Sequence, residues 1–106
     1  MKILITSQGN NKDSLMSPKF GRCSYFYIYD IDSNVEEIIK NDAANAGGGA
    51  GIQSANFVID NNIDVLITGN LGPNASEVLN ESEIKILTAP IKSVSEIIED
   101  YKQKRL

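Results

Sequence analysis

Three short runs rich in aliphatic and β-branched side chains, MKILIT (1–6), DVLITG (64–69) and IKILTA (84–89), constrain this chain more than any other feature in it. Each is too short for a buried helix and stops at polar or glycine-containing sequence, which marks a buried strand. Before DVLITG the apolar residues Ile52, Ala55, Phe57, Val58 and Ile59 take helical spacing, ending at Asp60-Asn61-Asn62. Between DVLITG and IKILTA a second helix is predicted from Asn74, where Asn74 and Glu77 have the spacing of a capping box. Ser93 and Glu96 repeat that pattern ahead of Val94, Ile97, Ile98 and Tyr101, which line one face of a last helix closed by KQKR, a cationic end suited to the helix dipole. Strands separated by helices join in parallel through right-handed crossovers.

The first half behaves differently. YFYIYDI (25–31) is aromatic and β-branched, and Asp32-Ser33-Asn34 turn it into VEEIIKND (35–42), a hairpin. The predicted order is therefore β-β-β-α-β-α-β-α, an α/β three-layer sandwich on a mixed five-stranded sheet, occupying residues 1–106 as one domain. Residues 7–24 form a long connection without periodic apolar positions. Loops of that length are often functional, and residues 8–20 are expected to be disordered without a ligand.

This topology makes one edge of the sheet important. If the first strand runs upward, then the first, third, fourth and fifth strands all finish at the top. The 7–24 loop, NAGGGAG (45–51), GNLGPN (69–74) and TAPIKS (88–93) converge there, and Cys23 is placed on the same rim. Ligands of open α/β sheets bind outside the carboxyl ends of strands, beside helix N-termini.

A net charge of -4 and a pI near 4.7 weigh against nucleic acid and anionic membranes as partners. No apolar run approaches the roughly 18 residues of a membrane span, and MKILITS does not read as a signal peptide, so a cytoplasmic location is expected. The chain has one cysteine and no histidine. That removes Ser-His-Asp and Cys-His catalysis, internal disulfides and Cys/His zinc sites within one chain.

Three stretches remain for chemistry. Gly47, Gly48, Gly49 and Gly51 precede one helix, and Gly69, Gly72 and Asn74 flank the start of another, so unpaired N–H groups there favour an anion. The same glycines also serve as turn residues, Gly47 to Gly49 at positive φ. Neither segment is a nucleotide-binding motif. KFGRC places Lys19 and Arg22 beside Cys23, and nearby cations favour a thiolate that binds soft metals, whereas a free cysteine also serves as a small core residue. Asp30 and Asp32 share one side of their strand at its lower end, where a solvated strand end is the simpler reading than metal-dependent phosphoryl transfer. Ser7 has no base to activate it.

MKILITS, FGRCSYFYIYD, NAGGGAGIQSANFVIDNNIDVLITGNLGPNA and IKIL together resemble, in order and over nearly the whole chain, the dinitrogenase iron-molybdenum cofactor biosynthesis family, the NifX/NafY-like domain. The resemblance implies a ribonuclease H-like sandwich and a non-enzymatic protein that binds or delivers an iron-sulfur or molybdenum-containing cluster, with a donor or recipient protein of cluster assembly as partner. Carried over by position, Lys19, Arg22, Cys23, Gly47, Gly48, Gly49, Gly51, Gly69, Asn70, Gly72 and Asn74 would surround that cluster. The better-known carriers use a histidine ligand, which this chain lacks. Two modes then remain: ligation by Cys23, or a cradle of backbone N–H groups, Lys19 and Arg22, the mode the resemblance associates with a molybdenum-copper sulfide. A regulatory or interaction module of the same fold, and a metal-dependent nuclease or phosphohydrolase, are the alternatives.

Overall fold

A computed structural model describes residues 1–106. The five strands are β1 (Lys2–Ser7), β2 (Tyr25–Asp30), β3 (Val35–Lys40), β4 (Val65–Thr68) and β5 (Lys85–Thr88); the helices are α1 (Ala50–Asp60), α2 (Pro73–Asn80) and α3 (Val94–Lys102). The sheet order is β3-β2-β1-β4-β5. β2 is antiparallel to both neighbours, while β1, β4 and β5 run parallel. This is the predicted mixed sheet and ribonuclease H-like sandwich. No helix is long and apolar enough to cross a membrane.

The strand period of two divides the core into two layers. Leu4, Phe26, Ile28 and Leu66 face one side and pack with Ala55, Val58, Ala75 and Leu79 of α1 and α2. Ile3, Ile5, Tyr27, Tyr29, Val65 and Ile67 face the other and meet Val94, Ile97 and Ile98 of α3. Burying each large aliphatic or aromatic side chain contributes about 1.5–3 kcal/mol. β1 lies in the middle, and all but its first residue are buried. β3 and β5 are the edges and are only partly covered.

Three expectations are corrected. The 7–24 connection is tied down: Gln8 N donates to Leu15 O (2.9 Å), Ser17 N to Thr6 O (2.8 Å) and Met16 N to Lys92 O (2.9 Å), with Met16 fully buried and Phe20 in the α1/α2 layer. Single apolar residues in a polar stretch carry no periodic signal, so their burial is settled only by tertiary contact. Second, α2 starts at Pro73 with Gly72 as N-cap, and no Asn74–Glu77 capping box forms. Proline is favoured at the first helical position because its missing N–H has no partner there anyway. Third, TAPIKS pairs with the 7–24 connection, through Met16 N to Lys92 O and a bridge between Leu15 and Ser93, but shares no cleft with the glycine loops: it leads into α3 on the opposite face, where the predicted Ser93–Glu96 capping box is present and Lys92 Nζ bonds Asp100 at 2.9 Å.

Candidate functional site

Three backbone segments meet where β1 and β4 end. A methyl group at Gly21 would sit 2.8 Å from Gly51 Cα, so the Phe20–Arg22 turn rests on the first turn of α1. A methyl at Gly51 would lie 3.5 Å from Ala75 Cβ, so that first turn in turn touches the first turn of α2. The missing side chain at Gly21 lets the main chains approach, while at Gly51 a methyl would make only ordinary contact.

They enclose a cleft of about 330 Å³ lined by Lys19, Phe20, Gly21, Arg22, Gly49, Ala50, Gly51, Ile52, Asn70, Gly72, Pro73, Asn74 and Ala75. That lies at the small end of ligand sites, roughly 300–1,000 Å³, and suits a compact multi-atom ion. A larger hollow, about 570 Å³, lies at the far end of the sheet between Met1, Ile31, Lys85, Tyr101, Lys102, Lys104 and Leu106. It gathers none of the glycine loops.

The cleft is electropositive for local reasons. The amides of Ala50, Gly51 and Ile52 at the start of α1, and of Asn74 and Ala75 at the start of α2, have no acceptor in the protein. Neither first turn carries an acidic residue or a side-chain cap. Two helix N-termini thus present free donors and positive dipole ends to one space. Lys19 and Arg22 add formal charge. Arg22 Nη1 also donates to Ala44 O (3.2 Å) and Ala46 O (2.8 Å), which ties it to the 3-10 turn Asp42–Asn45 ahead of the glycine run.

The lining contains no Cys, His, Asp or Glu. Of the predicted residues, Lys19, Arg22, Gly49, Gly51, Asn70, Gly72 and Asn74 come together. Gly47 and Gly48 remain outside, and of the three consecutive glycines only Gly49, the α1 N-cap, has positive φ (74°). Gly69 lies against Pro18 rather than in the cleft. Phe20, Gly21, Ala50 and Pro73 lie inside the FGRC, 47–51 and 69–74 segments without having been singled out as residues, and Ile52 and Ala75 follow directly on the last two.

Cys23 is the main correction. It is 1% exposed and belongs to the core layer under α1 and α2, not to the rim. Burial pushes its thiol up to about 12, only partly opposed by the Asn41 side chain, which donates to it. The neighbouring cations do not generate a thiolate, and the sulfur is not placed to ligate an occupant of the cleft. A consequence is testable: at pH 8 the native protein should react with Ellman's reagent more than about 100-fold slower than an exposed cysteine, and at full speed in guanidinium. A fast native reaction contradicts this burial.

Asp30 and Asp32 lie at the opposite end of the sheet, beside the Met1 amino group. No three Cys, Asp or Glu side chains stand close enough to hold a metal ion, so the ligand set of two-metal phosphoryl chemistry is not assembled.

The family model described as dinitrogenase iron-molybdenum cofactor matches residues 1–104. An uncharacterized protein of Methanocaldococcus jannaschii is 32% identical over 109 residues, spanning 100% of this chain and 89% of its own length. Among solved structures, the apo form of the orange protein from Desulfovibrio gigas superposes with a TM-score of 0.91 at 27% identity, over 98% of this chain and 88% of that one. A proposed NifB protein from Thermotoga, of the DUF35 family, gives 0.86 at 31% identity over 98% and 89%.

Proposed function

Because the chain belongs to the dinitrogenase iron-molybdenum cofactor family, we propose that it is a non-enzymatic carrier that holds an anionic metal-sulfur cluster, or a thiometallate precursor of one, by outer-sphere contacts. The cargo is an iron-sulfur or molybdenum-containing species that arrives assembled and leaves to a recipient protein. One observation carries this reading. Two uncapped helix N-termini, Lys19 and Arg22 converge on a cleft that offers no side chain able to ligate iron or molybdenum.

Amide N–H groups and cations bind an anion's periphery without displacing its own ligands, so the sulfide shell stays intact. The carboxamides of Asn70 and Asn74 supply further donors at the mouth, and Ile52 and Phe20 provide apolar wall for soft sulfide. Nothing in this arrangement supplies a general base or a nucleophile, in keeping with carriage rather than turnover.

The test is anaerobic titration with tetrathiomolybdate, alone and with copper(I), followed by desalting. Charge-transfer bands should stay with the protein, and Cys23→Ser should retain them, since the thiol lies outside the cleft. Wild-type protein that elutes colourless under both conditions overturns the carrier reading and favours an interaction module of the same fold. Loss of the bands in correctly folded Cys23→Ser would restore thiolate ligation.

A further inference from the structure

We propose that Asn41 and Ser54, buried behind the cleft, are positioning residues that aim the Arg22 amide into it. The inference rests on the carrier reading and names the groups through which its cradle is held. Asn41 is 4% and Ser54 1% exposed, and neither lines the cleft.

Both act on one carbonyl. Ser54 Oγ, on α1, donates to Gly21 O at 3.2 Å. Asn41 Nδ2 donates to Gly21 O at 3.2 Å and to Cys23 O at 2.9 Å. A trans peptide is planar, with its C=O and the following N–H on opposite sides. Drawing Gly21 O inward therefore turns Arg22 N–H outward, toward the cleft that Gly21 and Arg22 line. That amide has no acceptor in the protein.

Asn41 reaches the second wall as well. Its Oδ1 accepts from Ala43 N at 3.0 Å, capping the 3-10 turn that leads into the glycine run. The Arg22 guanidinium grips the same turn through Ala44 O and Ala46 O. A single carboxamide thus spans the FGRC turn and the segment before α1. If the pair served only to satisfy buried polar groups, its loss would lower stability without altering anion binding.

Two variants separate these roles. Ser54→Ala keeps helix propensity and leaves Gly21 O one donor. Asn41→Asp keeps the size and the Oδ1 cap but replaces the Nδ2 donor with an oxygen facing two carbonyls. Ser82→Ala is the control: its hydroxyl donates to Leu79 O at 2.6 Å, beyond the other end of α2. Tetrathiomolybdate affinity and the Arg22 amide resonance are measured in each.

Ser54→Ala should bind about fivefold more weakly, the change expected when a single hydrogen bond is lost, and its Arg22 amide should shift less on adding tetrathiomolybdate. Asn41→Asp should bind more weakly still, and Ser82→Ala as the wild type does. If Asn41→Asp does not fold, Ser54→Ala decides. Wild-type affinity and an unchanged Arg22 response in Ser54→Ala overturn this inference and leave the carrier reading standing. Wild-type protein that neither binds tetrathiomolybdate nor shifts any cleft amide overturns both.

Discussion

Gly21→Ala should destabilise the protein by about 3 kcal/mol, at the upper end of what overpacking costs. Its added methyl would lie 2.8 Å from Gly51 Cα, 2.9 Å from Gly51 N and 3.2 Å from Ala50 C. All three are backbone atoms of the first turn of α1, and none can rotate aside as a side-chain end does. The FGRC turn must back away from α1, stretching the bonds from Asn41 and Ser54 to Gly21 O, both 3.2 Å. The cleft loses its shape in the same movement. For a domain of this size the melting temperature should fall on the order of 15 °C, and tetrathiomolybdate binding should weaken with it.

The comparison that gives this force is Gly48→Ala. A methyl there meets nothing within 4 Å, and Gly48 is not among the residues with positive φ. Stability should stay within about 0.5 kcal/mol of wild type. Guanidinium unfolding of the two variants side by side is the measurement. Equal midpoints would mean that the turn does not rest on α1.

The contrast shows where the sequence was legible. The glycine run is conspicuous, yet only Gly49 needs its backbone freedom; the glycine with a steric role at the cleft is Gly21, which follows Phe20 in a stretch without periodic apolar positions. Local pattern could not supply that fact, because the atoms Gly21 meets are thirty residues away in sequence. Elements whose causes are local were legible: the apolar runs gave β1, β4 and β5, and Ser93 with Glu96 gave the start of α3. Asn74 and Glu77 offered the same spacing without the result, since Pro73 fits the first helical position and moves the boundary forward. Cys23 failed for another reason. Its neighbours in sequence are cationic, but its neighbours in space are Phe20, Phe26 and α1, and spatial burial governs a thiol.

The second large effect concerns charge. Lys19→Ala should weaken tetrathiomolybdate binding by about tenfold near 0.01 M ionic strength, since a single charge a few ångströms from an ion contributes on the order of 1–4 kcal/mol at a protein surface. Arg22→Ala should cost more, because it removes a cation and also frees the turn held through Ala44 O and Ala46 O. Arg22→Lys separates these losses: it restores the charge but not the forked hydrogen bonding, and should recover binding only in part. Ionic strength distinguishes the contributions. Raising it to 0.15 M shortens the screening length from about 30 to about 8 Å, so the penalty of Lys19→Ala should shrink, while the part of the Arg22→Ala penalty that comes from the released turn should persist. A Lys19→Ala penalty that does not change with salt would mean that Lys19 acts by shape, and that the cleft's attraction for anions comes from Arg22 and the two helix N-termini.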